Sequence, residues 1–496
     1  MKLLNDGLLK DVIDQMIKNY QKNKFDTSQK LAKSILKKKP NHILSLKILG
    51  SIYEQKEKFN DALIVNQKTV ELDSKDPEVH NNLGLVLHKL GKFEEAKVSL
   101  RESISLKPEF ITAIYNLGNT LKEIGNLDEA ENNFKKCIRL KDDFIEAHIN
   151  LANILREKSK FQDAEIMLKK CIQLKPDLII AHYNLGNLFK ELKRLDEAEV
   201  CYNQTLKLKP NYKLALLGRG QVLFNKKKFD QALNDFDACN TSESRARALA
   251  ALYNLGKIDE IYKRINKLYL LDDKNLRIAA FSSFISYKEK KETKNNFCKN
   301  PLEFLYFSNL SSHLRNSNKF INDLIDELKH INANWEPSNK TTVKGFQSTN
   351  NLFKDPQGKI KDIKKIIIKE LEKYNFKFEK ETCLFIKKWP LKKNLFGWHV
   401  ILKKQGYQGP HIHPSGWLSG VIYLKVVPSL EKNEGAIEFG LNAQNYSDLN
   451  SPKIIYQPKQ GDIVFFPSSL HHRTIPFTTD TDRIIVSFDL LPFTVN

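Results

Sequence analysis

Residues 77–110 read PEVHNNLGLVLHKLGKFEEAKVSLRESISLKPEF, and residues 111–144 read ITAIYNLGNTLKEIGNLDEAENNFKKCIRLKDDF. The two stretches place small, apolar and polar residues at the same positions, 34 residues apart. The period extends over the first half of the chain, where one position of each unit is alanine: Ala62, Ala96, Ala130, Ala164, Ala198 and Ala232. Another position is phenylalanine or leucine: Phe25, Phe59, Phe93, Leu127, Phe161, Leu195 and Phe229. A fixed period of this length predicts stacked helical units that share one core.

A small residue follows a leucine in four successive units, at Gly84, Gly118, Ala152 and Gly186. A small side chain at this position allows the two helices of a unit to approach closely. Together with the recurrent alanine, this pattern resembles the tetratricopeptide repeat, a helix–turn–helix unit. The resemblance implies an all-α solenoid of about seven repeats over residues 1–246, capped by a degenerate helical pair over residues 247–287.

Asparagines recur on the predicted groove of the solenoid, at Asn82, Asn116, Asn150 and Asn184. Others recur three residues further on, at Asn119, Asn153 and Asn187. The arrangement resembles the asparagine ladder of O-linked N-acetylglucosamine transferase repeats, whose amides hold the backbone of an extended peptide. An amide both donates and accepts hydrogen bonds, so it can pair with a peptide bond of any sequence. The resemblance predicts a protein or peptide partner at these asparagines; the alternative is that asparagine is only a tolerated consensus residue there.

The composition changes after residue 246, where the period ends. Residues 288–300, KEKKETKNNFCKN, predict a polar linker. Helical patterns follow in FINDLIDELKHI and IKDIKKIIIKELEKY, and short β-rich runs then extend from CLFIKKW to RIIVSFDL. Many short strands separated by turns favour a sandwich or barrel such as a jelly roll. We therefore expect a second domain over residues 301–496, with its β core over about 382–496.

Four histidines form two pairs in this predicted β domain. His411 and His413 lie in GPHIHPSGWLSGVIYL, and His471 and His472 lie in GDIVFFPSSLHHRTIPF. Residues i and i+2 of a strand point to the same side, so His411 and His413 can face one point. A third histidine from another strand would complete a facial set of metal ligands with open positions, as non-haem iron oxygenases require. Arg483 follows in RIIVSFDL, and its planar guanidinium fits a carboxylate through two hydrogen bonds.

The order HIH, SGVIYL, GDIVFFPSSLHH and RIIVSFDL resembles a 2-oxoglutarate/iron(II) oxygenase family related to the prolyl hydroxylases, as does GFQST upstream. The resemblance implies a double-stranded β-helix (jelly roll) with flanking helices that uses iron(II), 2-oxoglutarate and O2. It implies that His411 and His472 bind the iron. It also implies that Arg483 and Tyr423 hold the far carboxylate of 2-oxoglutarate, with Ser487 assisting.

The position two residues after His411 departs from the wider superfamily, which has Asp or Glu there. This chain has His413. Three arrangements are open: His413 is a third nitrogen ligand, water takes the position, or Glu438 in GAIEFG supplies the acid. Neutral imidazole is a good iron donor, which favours His413. The predicted catalytic set is therefore His411, His413, His472 and Arg483, with the three histidines as metal ligands.

The resemblance implies hydroxylation, and the solenoid suggests a protein or peptide substrate held in its groove. Two alternatives are open. The chain could be a catalytically inactive scaffold for protein–protein interaction, which the non-carboxylate His413 would favour. It could also be a small-molecule oxygenase whose repeats serve assembly.

Composition excludes other classes of function. The 496 residues carry a formal net charge of +21, but the lysines are spread along the chain, so we expect no specific nucleic-acid binding. The sequence contains no apolar run of bilayer length, and its amphipathic N-terminus is not typical of a secretory signal. We therefore predict no membrane partner and a cytoplasmic location.

Overall fold

The computed structural model describes residues 2–337, 340–428 and 432–492 of this protein. The chain divides into two compact units, residues 1–188 and residues 189–496. Across the described segments, no helix combines the length and the apolar character needed to cross a bilayer. The architecture is a helical solenoid followed by an antiparallel β-sheet domain, as the sequence predicts at this level, whereas the jelly-roll topology itself stays a prediction.

Helices alone form the first unit. They are α1 (Lys2–Gln21), α2 (Phe25–Lys38), α3 (Ile43–Gln55), α4 (Phe59–Leu72), α5 (Pro77–Lys89), α6 (Phe93–Leu106), α7 (Ile111–Ile124), α8 (Leu127–Leu140), α9 (Ile145–Glu157), α10 (Phe161–Leu174) and α11 (Ile179–Glu191), within which the division between units falls. From α3 onward, alternate helices begin 34 residues apart, which is the period of the sequence.

The recurrent small residues lie where the helices of a unit touch. The alanines at positions 62, 96, 130 and 164 are completely buried. A Cβ atom added to Gly118 would lie 2.8 Å from a ring carbon of Phe134, which is closer than van der Waals contact allows. Glycine is therefore required at this crossing for close packing rather than for an unusual backbone conformation, and this confirms the expected role of the position.

A buried carboxylate links neighbouring repeats within the first unit. Glu131 on α8 accepts hydrogen bonds from Lys135, Lys158 and Lys160. Burial opposes ionisation of Glu131, but the three ammonium groups outweigh it and lower the pKa of the carboxyl to about 2. Glu131 is therefore ionised at neutral pH and stabilises the folded repeats.

The second unit begins with the rest of the solenoid and ends with the β domain. Its helices before the β domain are α12 (Leu195–Leu208), α13 (Lys213–Asn225), α14 (Phe229–Cys239), α15 (Ser242–Asn254), α16 (Ile258–Leu268) and α17 (Leu276–Glu289). Aromatic residues of α17 share one core with strands of the β domain: Phe281 and Phe284 lie in the same buried cluster as Tyr423 and Phe439. The last solenoid helices are thus part of the core that supports the β domain.

The β domain contains two antiparallel sheets and three helices. Its strands are β1 (Tyr306–Asn309), β2 (Ala333–Trp335), β3 (Thr342–Ser348), β4 (Leu395–Gln408), β5 (Leu418–Lys425), β6 (Ile437–Gly440), β7 (Lys453–Tyr456), β8 (Asp462–Pro467), β9 (His471–Thr474) and β10 (Arg483–Leu490). One sheet has the order β1-β8-β5-β10-β4-β3-β2 and the other has the order β7-β6-β9. The helices are α18 (Ser317–Lys329), α19 (Gly358–Phe378) and α20 (Leu384–Lys387), and α18 and α19 confirm the two helical patterns of the sequence.

Two segments differ from their sequence-based expectations. Residues 288–300 include the buried Phe297, whose ring lies 5.0 Å from that of Trp417, so this polar stretch is anchored to the domain by its one aromatic residue. The run CLFIKKW was expected to be a strand, but Leu384–Lys387 form one helical turn. In that turn Phe385 and Ile386 are buried. Burial of two adjacent side chains does not follow the alternation of a strand, which explains the wrong prediction.

Candidate metal and anion site

Three histidines from two chain segments meet beside the large sheet. His411 pairs with His472 at the start of β9 through two backbone hydrogen bonds of 3.1 Å. The backbone N–H of His413 donates to the carbonyl of Ser468, which fixes the second histidine of the HIH segment. Candidate ligand atoms of all three side chains lie within 4.8 Å of one another. The structure thus brings together the three predicted metal ligands, although they are 61 residues apart in sequence.

The hydrogen bonds of the three imidazole rings determine which nitrogen of each ring is available to bind a metal. The Nδ1 of His411 lies 2.7 Å from the carbonyl of Gly409, and the Nδ1 of His472 lies 3.2 Å from the carbonyl of Leu470. The Nδ1 of His413 lies 2.6 Å from a carboxylate oxygen of Asp489. Each acceptor requires a proton on Nδ1, which leaves the Nε2 lone pair of each ring available to a metal.

The ring environments keep two of these histidines neutral. Burial, followed by the proximity of His413, lowers the pKa of His411 to about 3. Burial and the neighbouring His411 and His413 lower the pKa of His472 well below its usual value. Both rings are therefore in the unprotonated form that metal binding requires at neutral pH.

Asp489 is a site residue that the sequence analysis missed. Besides contacting His413, its Oδ1 accepts a hydrogen bond of 2.7 Å from the hydroxyl of Ser419, which lies 2.8 Å from the hydroxyl of Ser468. The Ser419 hydroxyl thus helps to hold the carboxylate against the ring of His413. A signal was present in the sequence, since Asp489 lies on the Arg483 face of β10 by the two-residue period of a strand.

The same cavity contains a buried arginine with two donor atoms that lack protein acceptors among the described residues. Arg483 is 1% exposed, and neither its Nε nor its Nη1 has a hydrogen-bond partner among the described residues. The hydroxyl of Tyr423, which is equally buried, also has none, and the guanidinium carbon lies 5.0 Å from the Tyr423 ring centroid. Burial lowers the pKa of Arg483 from its usual value. A buried cation with free donors beside a free hydroxyl suits an anion with several oxygen acceptors.

One cavity is lined both by the predicted metal ligands and by the predicted carboxylate-binding residues. Its lining includes the three histidines together with Tyr423, Arg483 and Ser487. On β10, Arg483, Ile485 and Ser487 alternate toward it, and Ile485 is opposite Tyr423 of β5. The donor set fits iron(II), which accepts imidazole nitrogen, and it fits a dicarboxylate whose far end reaches Arg483.

Two neighbouring side chains lie outside this set. Glu438, the alternative acidic ligand, forms a two-pronged ion pair with Arg473, with both oxygen–nitrogen distances at 2.9 Å. Glu438 is not a member of the histidine cluster. The ring of His471 lies 5.7 Å from that of Tyr446 and is turned away from the cluster by the alternation of β9.

The predicted asparagine ladder makes hydrogen bonds between repeats of the first unit. The Nδ2 of Asn116 donates to Asn81 at 2.9 Å, and the Nδ2 of Asn150 donates to Asn119 at 2.8 Å. Asn184 makes a longer contact of the same kind, 3.5 Å, and Asn82 accepts from the amide of Asn81 at 3.2 Å. These amides therefore stabilise the stack of repeats, and a role in peptide binding stays a prediction.

Comparison with known families agrees with this division of the chain. Residues 397–489 match the family model described as "Putative 2OG-Fe(II) oxygenase". Residues 50–91 and four successive 34-residue segments over residues 77–212 match tetratricopeptide-repeat models. The chain thus combines tetratricopeptide repeats with a segment that matches this oxygenase family model. All three clustered histidines, Tyr423, Arg483 and Asp489 lie inside the segment that matches the oxygenase family.

Solved structures similar to this chain cover its repeats. A tetratricopeptide repeat protein from Parabacteroides merdae ATCC 43184 is 18% identical over 47% of this chain and 91% of its own, with a TM-score of 0.40. MamA is 27% identical over 34% of this chain and 92% of its own, with a TM-score of 0.32. YrrB, described as a TPR protein with an unusual peptide-binding site, is 21% identical over 35% of this chain and 90% of its own, with a TM-score of 0.31. A search of curated proteins finds no match.

Proposed function

We propose that this chain is an iron(II)- and 2-oxoglutarate-dependent dioxygenase that hydroxylates a protein or peptide. The observation that carries the proposal is the cavity in which three imidazole Nε2 atoms face the same space as the partnerless donors of Arg483. Either group alone has ordinary structural explanations. A metal-ligand cluster and a buried anion receptor in one cavity together match the two components that this chemistry requires.

The metal would be held by His411, His413 and His472. Hydrogen bonds on Nδ1 orient each ring before metal arrives, so little conformational entropy is lost on binding. Three ligands on one side of the ion leave the remaining positions open for the cosubstrate and O2.

Asp489 could supply the negative charge that is missing because His413 occupies the position where the wider superfamily has a carboxylate. Its contact with the Nδ1 of His413 places a negative charge one imidazole ring away from the metal position. A carboxylate–histidine pair raises the basicity of the ligand and offsets part of the metal charge. We therefore prefer His413 as the third ligand to water, and Glu438 is already paired with Arg473.

The cosubstrate would be oriented by Arg483, Tyr423 and Ser487. The guanidinium would donate hydrogen bonds to one carboxylate of 2-oxoglutarate, and the Tyr423 hydroxyl would donate to the same carboxylate. Buried Val421, Ile437 and Ile485 also line the cavity and exclude water from it. When bound, iron(II), 2-oxoglutarate and O2 would supply the oxidation: one oxygen atom of O2 would enter succinate as 2-oxoglutarate loses CO2, and the other would enter the substrate as a hydroxyl group.

A polypeptide substrate is supported by the repeats. Stacked helical repeats present extended concave surfaces, and proteins that contain them generally bind protein partners. The Asn116 and Asn150 amides that donate between repeats keep carbonyl lone pairs that could accept from a peptide backbone.

Succinate formation tests the proposal directly. Protein purified without oxygen and loaded with iron(II) is given 2-oxoglutarate and air, and succinate is measured. We expect turnover in the wild type and its loss in His472→Ala and Arg483→Met. A wild type that neither turns over nor binds 2-oxoglutarate would exclude the oxygenase and favour an inactive scaffold.

A further inference from the structure

A cleft of about 850 Å³ in the second unit opens beside the histidine cluster. Its walls are residues of α11, α13, α14, α15 and α17 on one side and two segments of the β domain, residues 410–412 and 443–447, on the other. His411 lines both this cleft and the cavity that contains Arg483. A molecule lying in the cleft would therefore reach the edge of the proposed metal site.

The two walls are held together by specific contacts. The ring of Tyr446 lies 4.8 Å from that of Phe281 and 4.7 Å from that of Phe284. The hydroxyl of Tyr253 donates to the carbonyl of Ser447 at 3.2 Å. A further hydrogen bond of 3.1 Å joins the amide of Asn254 to the carbonyl of Asn445. The cleft is thus a built feature of the unit, because both walls pack on a shared aromatic cluster.

The cleft is basic. Its lining contains four cationic side chains, Lys190, Lys227, Arg247 and Arg277, and none of the residues that line it is Asp or Glu. Three other arginines of the unit, Arg219, Arg245 and Arg264, each form a two-pronged ion pair with an aspartate. The lining of the cleft thus presents positive charge beside the histidine cluster.

Of the two arginines in this lining, Arg247 is paired with an acid and Arg277 is not. Arg277 is half-buried, and it makes no hydrogen bond or ion pair with any described residue. Glu243, the nearest acid that acts on it, is committed to Arg247 through hydrogen bonds of 2.7 and 3.0 Å. Burial, followed by the like charge of Arg247, lowers the pKa of Arg277. A guanidinium in this setting gains free energy when a carboxylate supplies the missing acceptors.

Arg277 also lies close to the metal site. Arg277 lines the same cleft as His411 and as His471, which precedes the proposed ligand His472. A carboxylate bound to Arg277 would therefore share the cleft with a segment of the substrate that reaches His411. Amide side chains in the same lining, Gln221 and Gln444, can pair with a peptide backbone.

We propose that this cleft binds an acidic polypeptide segment, with Arg277 taking an Asp or Glu side chain beside the residue that is hydroxylated. The inference rests on the proposed oxygenase function and names its substrate class. A polypeptide suits the lining better than a nucleic acid does, because Gln221 and Gln444 of the same cleft can pair with a peptide backbone.

Peptide binding by the full chain tests the inference without turnover. The probes are fluorescein-labelled peptides of alternating Glu and Ala, of Gln and Ala, and of Lys and Ala, with a single-stranded RNA of similar charge. Binding is measured by fluorescence anisotropy. We expect the Glu–Ala peptide to bind at least about tenfold more tightly than the Gln–Ala peptide, since charge-assisted hydrogen bonds contribute this much or more. Its affinity should fall as salt rises.

Variants assign the effect to the cleft. Arg277→Gln should weaken Glu–Ala binding about tenfold or more, and Arg277→Lys should weaken it less, because lysine keeps the charge but loses the fork. Arg315→Gln is the matched control, since Arg315 is exposed and lies outside the cleft. Equal affinity for Glu–Ala and Gln–Ala peptides would overturn the inference. So would unchanged binding in both Arg277 variants, an equal loss in Arg315→Gln, or tighter Arg277-dependent binding of the RNA.

A separate measurement distinguishes this failure from failure of the oxygenase. Iron(II) and 2-oxoglutarate binding are measured on the same proteins, and neither should change in Arg277→Gln because Arg277 is outside the cavity of Arg483. Normal cosubstrate binding with no preference for acidic peptide refutes only the substrate class. Absence of cosubstrate binding in the wild type refutes the proposed function instead.

Discussion

Replacement of Arg483 by methionine should separate stability from ligand binding. The guanidinium is 1% exposed, and its Nε and Nη1 lack protein acceptors. An unsatisfied buried polar group costs about 1–3 kcal/mol, and a charged one costs more. Methionine fills a similar volume without donors. We therefore expect the ligand-free variant to be about 1–3 kcal/mol more stable than the wild type, with a melting temperature several degrees higher.

The same substitution should abolish the response to cosubstrate. A ligand present at 100 times its Kd stabilises the folded state by about 2.7 kcal/mol. Thermal unfolding is followed by circular dichroism with and without 2-oxoglutarate, with manganese(II) in place of iron(II) to prevent turnover. The wild type should shift upward and Arg483→Met should not. A melting temperature of Arg483→Met that rises with 2-oxoglutarate as in the wild type would refute the assignment of Arg483 as the carboxylate receptor.

Arg473→Met is the matched control for this experiment. Arg473 lies ten residues before Arg483, and its side chain is 45% exposed in the ion pair with Glu438. An exposed ion pair contributes about 0–1 kcal/mol, so the variant should lose little stability and keep the full response to 2-oxoglutarate. A marked fall in the stability of ligand-free Arg483→Met would mean that the guanidinium has protein partners that stabilise it.

Three further outcomes are expected. Asp489→Asn should weaken metal binding about 10- to 100-fold in a metal titration, because it removes the charge that orients and polarises His413. Gly118→Val should lower the free energy of unfolding in urea by about 1–3 kcal/mol, because its side chain would overlap the Phe134 ring. Glu131→Gln should melt at a lower temperature than the wild type at pH 7. That difference should shrink as pH falls from 4.5 toward 2, since the depressed pKa of Glu131 gives its full stabilisation above 4.5 and loses it progressively down to about 2.

Each of these three predictions can be checked by a control variant or by a result that would contradict it. Asp482→Asn removes a carboxylate that pairs with Lys403 outside the cavity, and it should leave metal affinity unchanged. Gly118→Val with the stability of the wild type would mean that the two helices can separate at no cost. A difference for Glu131→Gln that is constant from pH 7 to pH 3 would show that charge is not the cause of the loss.

The repeats could be predicted from the sequence because the contacts that stabilise them are made between neighbouring segments of the chain. Each unit makes the same contacts with its neighbours, so Ala96, Gly118 and their equivalents recur at a fixed period and reveal both the helices and their crossings. The histidine pairs and Arg483 were readable for a different reason. A metal ligand or an anion receptor needs a particular functional group, and strand alternation places such groups on one side.

Long-range packing decided the rest. The sequence does not reveal that His411 and His472 pair across 61 residues, or that the carboxylate of Asp489 contacts His413. It also gives no sign that Arg277 of α17 lines the same cleft as His411. These long-range contacts depend on the register of the strands and on the packing of α17 against the β domain. Both result from many weak contacts distributed over the second unit. The sequence pattern specifies which functional groups are present and on which face of a helix or strand they lie. Only the packing of the folded core determines which of these groups come into contact.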